Sequence, residues 1–252
     1  MRYYVICDTH SFYSVMEKAL RSAGYFDDTE PHRLVILGDL LDRGPEPFKL
    51  MNFVLERLDS EELILIRGNH EDLFLNLIGK DHGLPLHHHL VNGTFRTAWT
   101  LAGMTGEEAM DDPARLCAAA AESELVKRII PAMRDYYETE HYVFTHGWVP
   151  TEERSGGRRV LLPDWRSAGE KAWRDARWTN GMEAARTAPV EGKTVLCGHF
   201  HCSYGHARLE GRGEEFGDKA DFSPYFAPGV IALDACTALS QRMNVVVLED
   251  TQ

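Results

Sequence analysis

The 252-residue sequence predicts an α/β protein whose sheet contains parallel segments. The first observation is a series of short aliphatic runs, each ending at Gly or a polar residue, which is the pattern of strands buried on both faces. The second is that helical stretches separate the earlier runs. Alternation of this kind is typical of right-handed βαβ units. The third is that polar side chains able to bind metal follow most of the runs.

Seven runs predict the strands. They cover residues 3–7, 33–38, 62–68, 141–145, 193–198, 229–234 and 243–250. Apolar residues at helical spacing predict helices over 12–24, 45–59 and 70–80. Gly24 suits the residue after the first helix. The second helix opens with prolines in its first turn, where a missing N–H does no harm.

The domain organisation follows from length and from two irregular regions. A chain of this length suits one large α/β domain. Residues 81–135 carry turn signals, no strand pattern and a capped, alanine-rich stretch, which predict a helical insertion over one rim of the sheet. Residues 151–170 and 203–228 are rich in Gly, Arg and acidic residues and predict long loops. We therefore interpret residues 1–252 as a single domain with an insertion at about 81–135 and a long loop at about 203–228.

Composition excludes several classes of protein. The formal net charge is −12, and no basic stripe of the kind used by general nucleic-acid binders stands out. No run of about 18 apolar residues predicts a membrane span, and the N-terminus lacks an apolar signal segment. The five cysteines are scattered without a C-x-x-C pair, which predicts reduced thiols and a cytoplasmic location. Because the chain is acidic overall, any phosphate site must carry its own local positive charge.

Five successive strand ends deliver potential ligands or charged groups. They are Asp8 and His10; Asp39, Asp42 and Arg43; Asn69 and His70; His146; and His199 and His201. In open α/β sheets, sites assemble at the carboxyl ends of strands. Carboxylate, carboxamide and imidazole together suit Mn, Fe or Zn.

The number of candidate ligands exceeds what one ion needs. Seven residues qualify: Asp8, His10, Asp39, Asn69, His146, His199 and His201. That number fits two ions about 3.5–4 Å apart that share a carboxylate. Asp39 is the natural bridge because it follows the second, central strand. Two ions lower the pKa of a shared water from about 15.7 toward 7 and stabilise the attacking and leaving oxygens. The predicted chemistry is metal-assisted phosphoester hydrolysis.

The same motifs resemble a known family. In order, "DTH", "GDLLDRG", "GNHE", "THGW" and "GHFH" are similar to the signature blocks of the calcineurin-like metallophosphoesterases. "GDLLDRG" followed by "GNHE" resembles the phosphoprotein phosphatase branch in particular, which includes bacterial serine/threonine phosphatases and symmetrical diadenosine tetraphosphate hydrolases. The resemblance runs from residue 3 to about 248. It implies a sandwich of two mixed β-sheets flanked by helices, with the active site at the strand carboxyl ends.

The resemblance implies two divalent metal ions, with Mn the first choice and Fe or Zn the alternatives. It assigns Asp8, His10 and Asp39 to the first ion. It assigns Asp39, Asn69, His146 and His199 to the second ion. His201 stands where protein phosphatases often have threonine, and is a candidate for a further ligand of the first ion.

The resemblance also implies roles for residues that act on the substrate. His70 would protonate the leaving oxygen and Asp42 would orient it, a type of catalysis that contributes about 10²–10⁴-fold. Arg43 would bind the substrate phosphate, and Asn69 is a further candidate for phosphate binding. A second arginine is expected before the last histidine block; Arg177 and Arg174 are the candidates, and the distance to His199 favours Arg177.

These residues leave several functions open. The leading hypothesis is a serine/threonine-type protein phosphatase or small-molecule phosphomonoesterase that uses a metal-bridging hydroxide and forms no covalent phosphoenzyme. The alternative is a hydrolase of dinucleoside polyphosphates such as diadenosine tetraphosphate. A nuclease or phosphodiesterase is disfavoured by the Asp42–Arg43 pair, and an inactive binding module by the intact ligand set. The expected partner is a phosphorylated substrate, with no nucleic acid and no membrane; the oligomeric state stays open.

Each singled-out residue also has a structural explanation. Asp39 alone could cap a helix, and Asp42–Arg43 could be a surface ion pair. Their order on five strand ends outweighs these explanations. For the histidines of "LHHHL" (86–90), a surface position is favoured. Three tryptophans, at 165, 173 and 178, are assigned to packing around loops, with substrate stacking as the minority alternative. Glu71 is assigned to support of a helix N-terminus.

Overall fold

The computed structural model describes residues 1–79, 84–154 and 158–250. The strands are β1 Arg2–Ile6, β2 His32–Ile36, β3 Leu63–Leu65, β4 Tyr136–Glu138, β5 Tyr142–Thr145, β6 Thr151–Arg154, β7 Arg158–Leu161, β8 Thr194–Cys197, β9 Tyr225–Ala227, β10 Val230–Ala232 and β11 Val246–Glu249. The helices are α1 Tyr13–Ser22, α2 Pro47–Leu55, α3 Asn69–Ile78, α4 Leu86–Asn92, α5 Thr94–Leu101, α6 Gly106–Asp111, α7 Pro113–Ala121, α8 Ile130–Ala132, α9 Glu170–Arg177, α10 Gly181–Thr187, α11 Cys202–Tyr204 and α12 Thr237–Ser240.

Two mixed sheets form the centre of the fold. In the first, the strand order is β11-β1-β2-β3, with β1, β2 and β3 parallel and β11 antiparallel to β1. In the second, the order is β4-β5-β8-β10-β9, with a parallel centre and an antiparallel strand at each edge. The predicted α/β fold, a sandwich of two mixed sheets flanked by helices, is confirmed.

The alternation of side chains along β1 shows how the layers pack. Tyr3 and Val5 point into an apolar layer that contains residues of both sheets, such as Phe144. Tyr4 and Ile6 point the other way, toward the helices. Burying one such side chain contributes about 1.5–3 kcal/mol. Because both faces of the strand are covered, its sequence is a nearly continuous apolar run.

The region predicted as an insertion over the rim is part of a main core. Helices α4 to α8 lie within residues 86–132, and their apolar residues include Phe95, Ala98, Leu116 and Ile130. These side chains belong to the same buried cluster as residues of α1, α2 and α3. The described helices of this region therefore pack into a main core of the protein. Among the described residues, no helix combines the length and the apolar character needed to cross a membrane.

Four strands do not appear in the sequence prediction. Residues 151–170, predicted as a loop, contain the antiparallel hairpin of β6 and β7. No aliphatic run marks this hairpin, because its first strand, "TEER", is fully polar. Strands β4 and β9 each have only three residues, too few to show a pattern.

Candidate active site

The loops that follow the parallel strands meet at one edge of the sandwich. The residues in question are Asp8 after β1, Asp39 after β2, Asn69 after β3, His146 after β5 and His199 after β8. All of these side chains are buried except His199, which is half-buried. Residues that lie far apart in the sequence are thus brought into a single cluster.

Backbone strain is concentrated in these loops. Of the nine described non-glycine residues with positive φ, seven lie here: Asp8, His10, Ser11, Asp39, Asp42, Arg43 and His199. Such a conformation costs about 1–3 kcal/mol for each residue and is typical of functional sites. At Gly38, φ is +83°, and a Cβ atom would lie 2.6 Å from the Gly68 backbone and 2.9 Å from His146 Nδ1. A side chain at this position would therefore separate the loops.

Asp39 is shared by two groups of potential ligands. Its Oδ1 lies 3.4 Å from His146 Nε2, and its Oδ2 lies 3.7 Å from His10 Nε2. One group contains His10, Asp39 and His70, and the other contains Asp39, His146 and His199. Within each group the ligand atoms lie within 4.8 Å of one another. Asp39 therefore has the position that a bridging carboxylate requires.

Main-chain carbonyls orient the histidine rings. The Nδ1 of His10 lies 2.9 Å from the Leu41 carbonyl, and the Nδ1 of His146 lies 2.6 Å from the Leu37 carbonyl. The ring of His199 donates to the carbonyl of Trp178. Because a carbonyl only accepts, Nδ1 of His10 and of His146 carries a hydrogen. The Nε2 of His10 faces the Arg43 guanidinium, which only donates, so this nitrogen keeps its lone pair. This arrangement is found in most histidines that bind metals.

The carboxylates of the site create an excess of negative charge. Burial raises the pKa of Asp8, and the nearby charges of Asp234 and Asp39 raise it further. Burial likewise raises the pKa of Asp234. Burial also opposes ionisation of Asp39, but the charges of His146, His70 and His10 lower its pKa overall. Three buried carboxylates in one site need compensating positive charge, so the donor set fits divalent cations.

Asp234 was not predicted as a site residue. It follows β10, so it lies at the same sheet edge as the other strand-end residues, and it is only 7% exposed. The sequence did contain a signal for Asp234. The run "GVIALD" ends in an acidic residue, just as the other runs are followed by potential metal ligands.

A histidine–aspartate pair adjoins Asp39. His70 Nδ1 lies 2.6 Å from Asp42 Oδ2, and His70 Nε2 lies 3.8 Å from Asp39 Oδ2. Burial lowers the pKa of His70, but Asp39 and Asp42 raise it by more, so the net shift is upward. Asp42 also accepts hydrogen bonds from Thr94 Oγ1 at 2.8 Å and Thr97 Oγ1 at 2.5 Å, both on α5. The pair is thus built partly from the predicted insertion.

Arg43 lies within the cluster. Its Nη1 is 3.0 Å from His10 Nε2, and its Nη2 is 3.1 Å from His70 Nε2. The main chain of this loop is held from outside, because Arg96 of α5 donates to the carbonyls of Arg43 and Gly44. The guanidinium is therefore placed between the two histidines.

Glu71 joins two of the loops. Its carboxylate accepts hydrogen bonds from the backbone N–H groups of Gly68 (2.7 Å), Leu40 (2.9 Å) and Asp39 (3.1 Å). Burial and the charge of Asp39 raise its pKa to about 7. Gly68 precedes α3, so the predicted support of a helix N-terminus is present. The bonds to the Asp39 loop were not foreseen.

Arg177 does not reach this cluster. Its side chain is 1% exposed, and its guanidinium binds Asp72 at 2.7 Å, Asp135 at 2.6 Å and Glu170 at 2.9 Å. Three carboxylates occupy the groups that would bind phosphate, so the structure does not support the predicted second clamp. The other candidate, Arg174, is exposed and lies 3.9 Å from Glu170.

Two histidine predictions are also changed. His201 lies outside both ligand groups, and its Nε2 is 3.1 Å from Glu215 Oε1. A carboxylate from the following loop therefore occupies one of the two ring nitrogens that could bind a metal. In "LHHHL", His87 and His88 are exposed as expected, whereas His89 is buried because it lies on the inner face of α4.

Comparisons with known proteins place these residues in context. A family profile described as calcineurin-like phosphoesterase matches residues 1–203. The chain is 36% identical over 76 residues to bis(5'-nucleosyl)-tetraphosphatase PrpE [asymmetrical] of Bacillus velezensis, which is 28% of this chain and 30% of the relative. It is 33% identical over 73 residues to serine/threonine-protein phosphatase 1 of Salmonella typhimurium, 29% of this chain and 31% of the relative. Each match thus spans less than a third of the curated relative.

A solved structure has a similar fold. The cold-active protein-tyrosine phosphatase of a psychrophile Shewanella species aligns with a TM-score of 0.55 at 14% identity, over 98% of this chain and 75% of that one. At this level of identity, the likeness shows the fold alone.

Proposed function

We propose that this chain, which belongs to the calcineurin-like phosphoesterase family, hydrolyses phosphoester bonds with the help of two divalent cations. The observation that carries the proposal is Asp39, which is shared by two groups of ligand atoms and lies next to the His70–Asp42 pair. A single hydrogen-bonded core histidine would not explain this convergence.

The residues proposed to hold the cations combine these ligand groups with the assignment that the family motifs imply, which adds Asp8 and Asn69 and makes His70 the proton donor. Asp8, His10 and Asp39 would hold one, and Asp39, Asn69, His146 and His199 the other. When bound, the cations neutralise phosphate charge and lower the pKa of a coordinated water toward about 7. We propose Mn²⁺ as the metal, with Fe or Zn as alternatives, because the donors are a mixture of oxygen and imidazole nitrogen.

The remaining residues act on the substrate. Arg43 would bind two phosphate oxygens with its planar guanidinium. His70 would donate the proton on Nε2 to the leaving oxygen, while Asp42 holds Nδ1 and stabilises the imidazolium. Water supplies the oxygen that joins phosphorus, so no covalent phosphoenzyme forms.

We propose a phosphorylated substrate and a cytoplasmic location. The five cysteines are free thiols, as a reducing compartment favours. A phosphoserine or phosphothreonine protein, or a small phosphomonoester, is the first candidate substrate. A dinucleoside polyphosphate is the alternative, which the similarity to the Bacillus tetraphosphatase favours.

Replacing His70 tests the proposal. With Mn²⁺ present, His70→Asn should lower kcat about 10²–10⁴-fold, because it removes the proton donor. The loss should be larger with phenyl phosphate than with p-nitrophenyl phosphate, because p-nitrophenolate is a weaker base and leaves more readily without a proton. Metal content should stay unchanged. His87→Asn, an exposed histidine, is the control. A fully active His70→Asn would refute the assigned role, and a loss of metal would make His70 a ligand instead.

A further inference from the structure

A cavity of about 630 Å³ opens beside the proposed metal site. Its wall includes Trp178 and Phe200, whose ring centroids lie 5.6 Å and 5.2 Å from that of His199. The Trp178 side chain is 46% exposed, whereas Trp165 and Trp173 are buried in the core. A partly exposed indole that contacts a proposed metal ligand has a face available for stacking.

The same cavity carries positive charge. Arg159 and Arg186 line it, and both are exposed. Arg159 donates a hydrogen bond to Thr179 Oγ1 at 3.1 Å. Over residues 1–79, 84–154 and 158–250, neither arginine forms an ion pair with a carboxylate. In a chain with a formal net charge of −12, two such arginines on one cavity form a local site for an anion.

The lining also contains one acid, Glu183. The hydroxyl of Tyr204 donates a hydrogen bond to this carboxylate. The arginines therefore outnumber the acids in the wall of the cavity, and its charge suits an anionic group.

From this juxtaposition of aromatic rings and arginines, we propose that the cavity binds a nucleoside phosphate portion of the substrate. The base would stack on Trp178 and Phe200, and a phosphate remote from the metals would bind Arg159 and Arg186. The cavity volume lies within the range of about 300–1,000 Å³ that small ligands use. A peptide would need an extended groove instead. The inference rests on the proposed function and selects nucleotides among the phosphorylated substrates.

Steady-state kinetics with Mn²⁺ test this subsite. The substrates are diadenosine tetraphosphate, AMP, p-nitrophenyl phosphate and a phosphoserine peptide. In Trp178→Ala, KM for both nucleotides should rise about tenfold, equivalent to 1.4 kcal/mol and within the range of one stacked base. In Arg186→Ala, KM should rise about tenfold for diadenosine tetraphosphate and stay nearly unchanged for AMP, whose one phosphate lies at the metals. For p-nitrophenyl phosphate, KM should change by less than about twofold in both variants, because this probe lacks the base and the second phosphate. Trp178→Phe should restore most of the nucleotide affinity, and the exposed Arg242→Ala is the matched control.

The outcomes separate this inference from the proposed function. An equal rise in KM for p-nitrophenyl phosphate would mean that the residues act on the metal site, and would overturn the subsite. A rise for the phosphoserine peptide alone would assign the cavity to protein substrates. Wild-type protein that turns over p-nitrophenyl phosphate but neither nucleotide would overturn the inference and leave the proposed function standing. Turnover of none of the four would contradict both.

Discussion

Asp42 joins the proposed proton donor to a distant part of the chain. One carboxylate oxygen accepts from His70 and Thr94, and the other accepts from Thr97. Because the carboxylate is buried and bonded on both oxygens, it has one orientation, and so has the imidazole. Helix α5 therefore positions a residue proposed to act on the substrate, although it contributes no group to the proposed metal site.

Removing one hydroxyl of this network should weaken the proton donor. Thr97→Val keeps the shape of the side chain and leaves Asp42 Oδ1 without its partner, a loss of about 1–3 kcal/mol. We expect kcat to fall about tenfold with KM little changed, and the fall to be larger for phenyl phosphate than for p-nitrophenyl phosphate. Thr97→Ser keeps the hydroxyl and should restore turnover. Equal kcat in the Val variant and the wild type would show that the hydrogen bond has no part in catalysis.

At this scale, sequence reasoning found the residues that stand directly after strands. Asp39 and His146 could be predicted because each of them directly follows an aliphatic run. The role of Thr94 and Thr97 could not be predicted, since the sequence of a helical stretch does not indicate which group a hydroxyl contacts. The contacts of Arg177 were not predicted, because spacing along the chain does not define the direction of a side chain.

At the scale of elements, the cluster around Arg177 holds α9 against its neighbours. The guanidinium binds Asp72 of α3 and Asp135, which precedes β4. It also binds Glu170 at the start of α9. A buried cation with three carboxylate partners ties separate elements together, and so it is a structural residue.

Loss of this cation should destabilise the fold and spare the chemistry. Arg177→Met leaves Asp72, Asp135 and Glu170 without their shared partner, which should cost about 3 kcal/mol, at the lower end for a broken buried pair because Glu170 is half exposed. Tm should fall by about 6–12 °C, with kcat of the folded protein nearly unchanged. Arg174→Met, on the exposed face, should change stability by no more than about 0.5 kcal/mol. A normal Tm with a much higher KM would restore Arg177 as a phosphate clamp.

The elements themselves were predictable where their faces were uniformly apolar. Strands β1, β2, β5 and β8 lie within one or two residues of the predicted runs. In the hairpin of β6 and β7, the first strand is fully polar and the second has only two apolar residues, so its pairing depends on tertiary structure that the sequence pattern does not show.

At the scale of the whole molecule, the site gathers negative charge that the folded protein alone cannot compensate. Asp8, Asp39 and Asp234 are all buried at one edge of the sandwich, and burial raises the pKa of Asp8 and Asp234. Cations that bind only the folded chain should therefore stabilise it.

Removal of metal should lower the thermal stability. At a free Mn²⁺ concentration of about 100 times Kd, the stabilisation is about 2.7 kcal/mol. We expect Tm of the chelator-treated protein to be about 5–10 °C lower, and added Mn²⁺ to restore it. Asp39→Asn should not respond to Mn²⁺, whereas the exposed Asp59→Asn should respond like the wild type. The same Tm with and without Mn²⁺ in the wild type would argue against a metal site.

The global fold was predictable because several strand ends had to meet at one edge. The cavity beside His199 was not, since its walls come from β7, α10 and the loop after β8, whose contacts depend on packing. In the sequence, no pattern distinguishes the aromatic and basic residues of this cavity from other residues in loops.

Metal stoichiometry at saturation tests most directly the claim that Asp39 is shared by two cations. Elemental analysis after equilibration with Mn²⁺ should find two ions per wild-type chain. His10→Ala and His146→Ala should each retain one, because each variant loses a ligand on one side only. Asp39→Asn should lose both. A single ion in the wild type, or two ions retained by Asp39→Asn, would contradict the account.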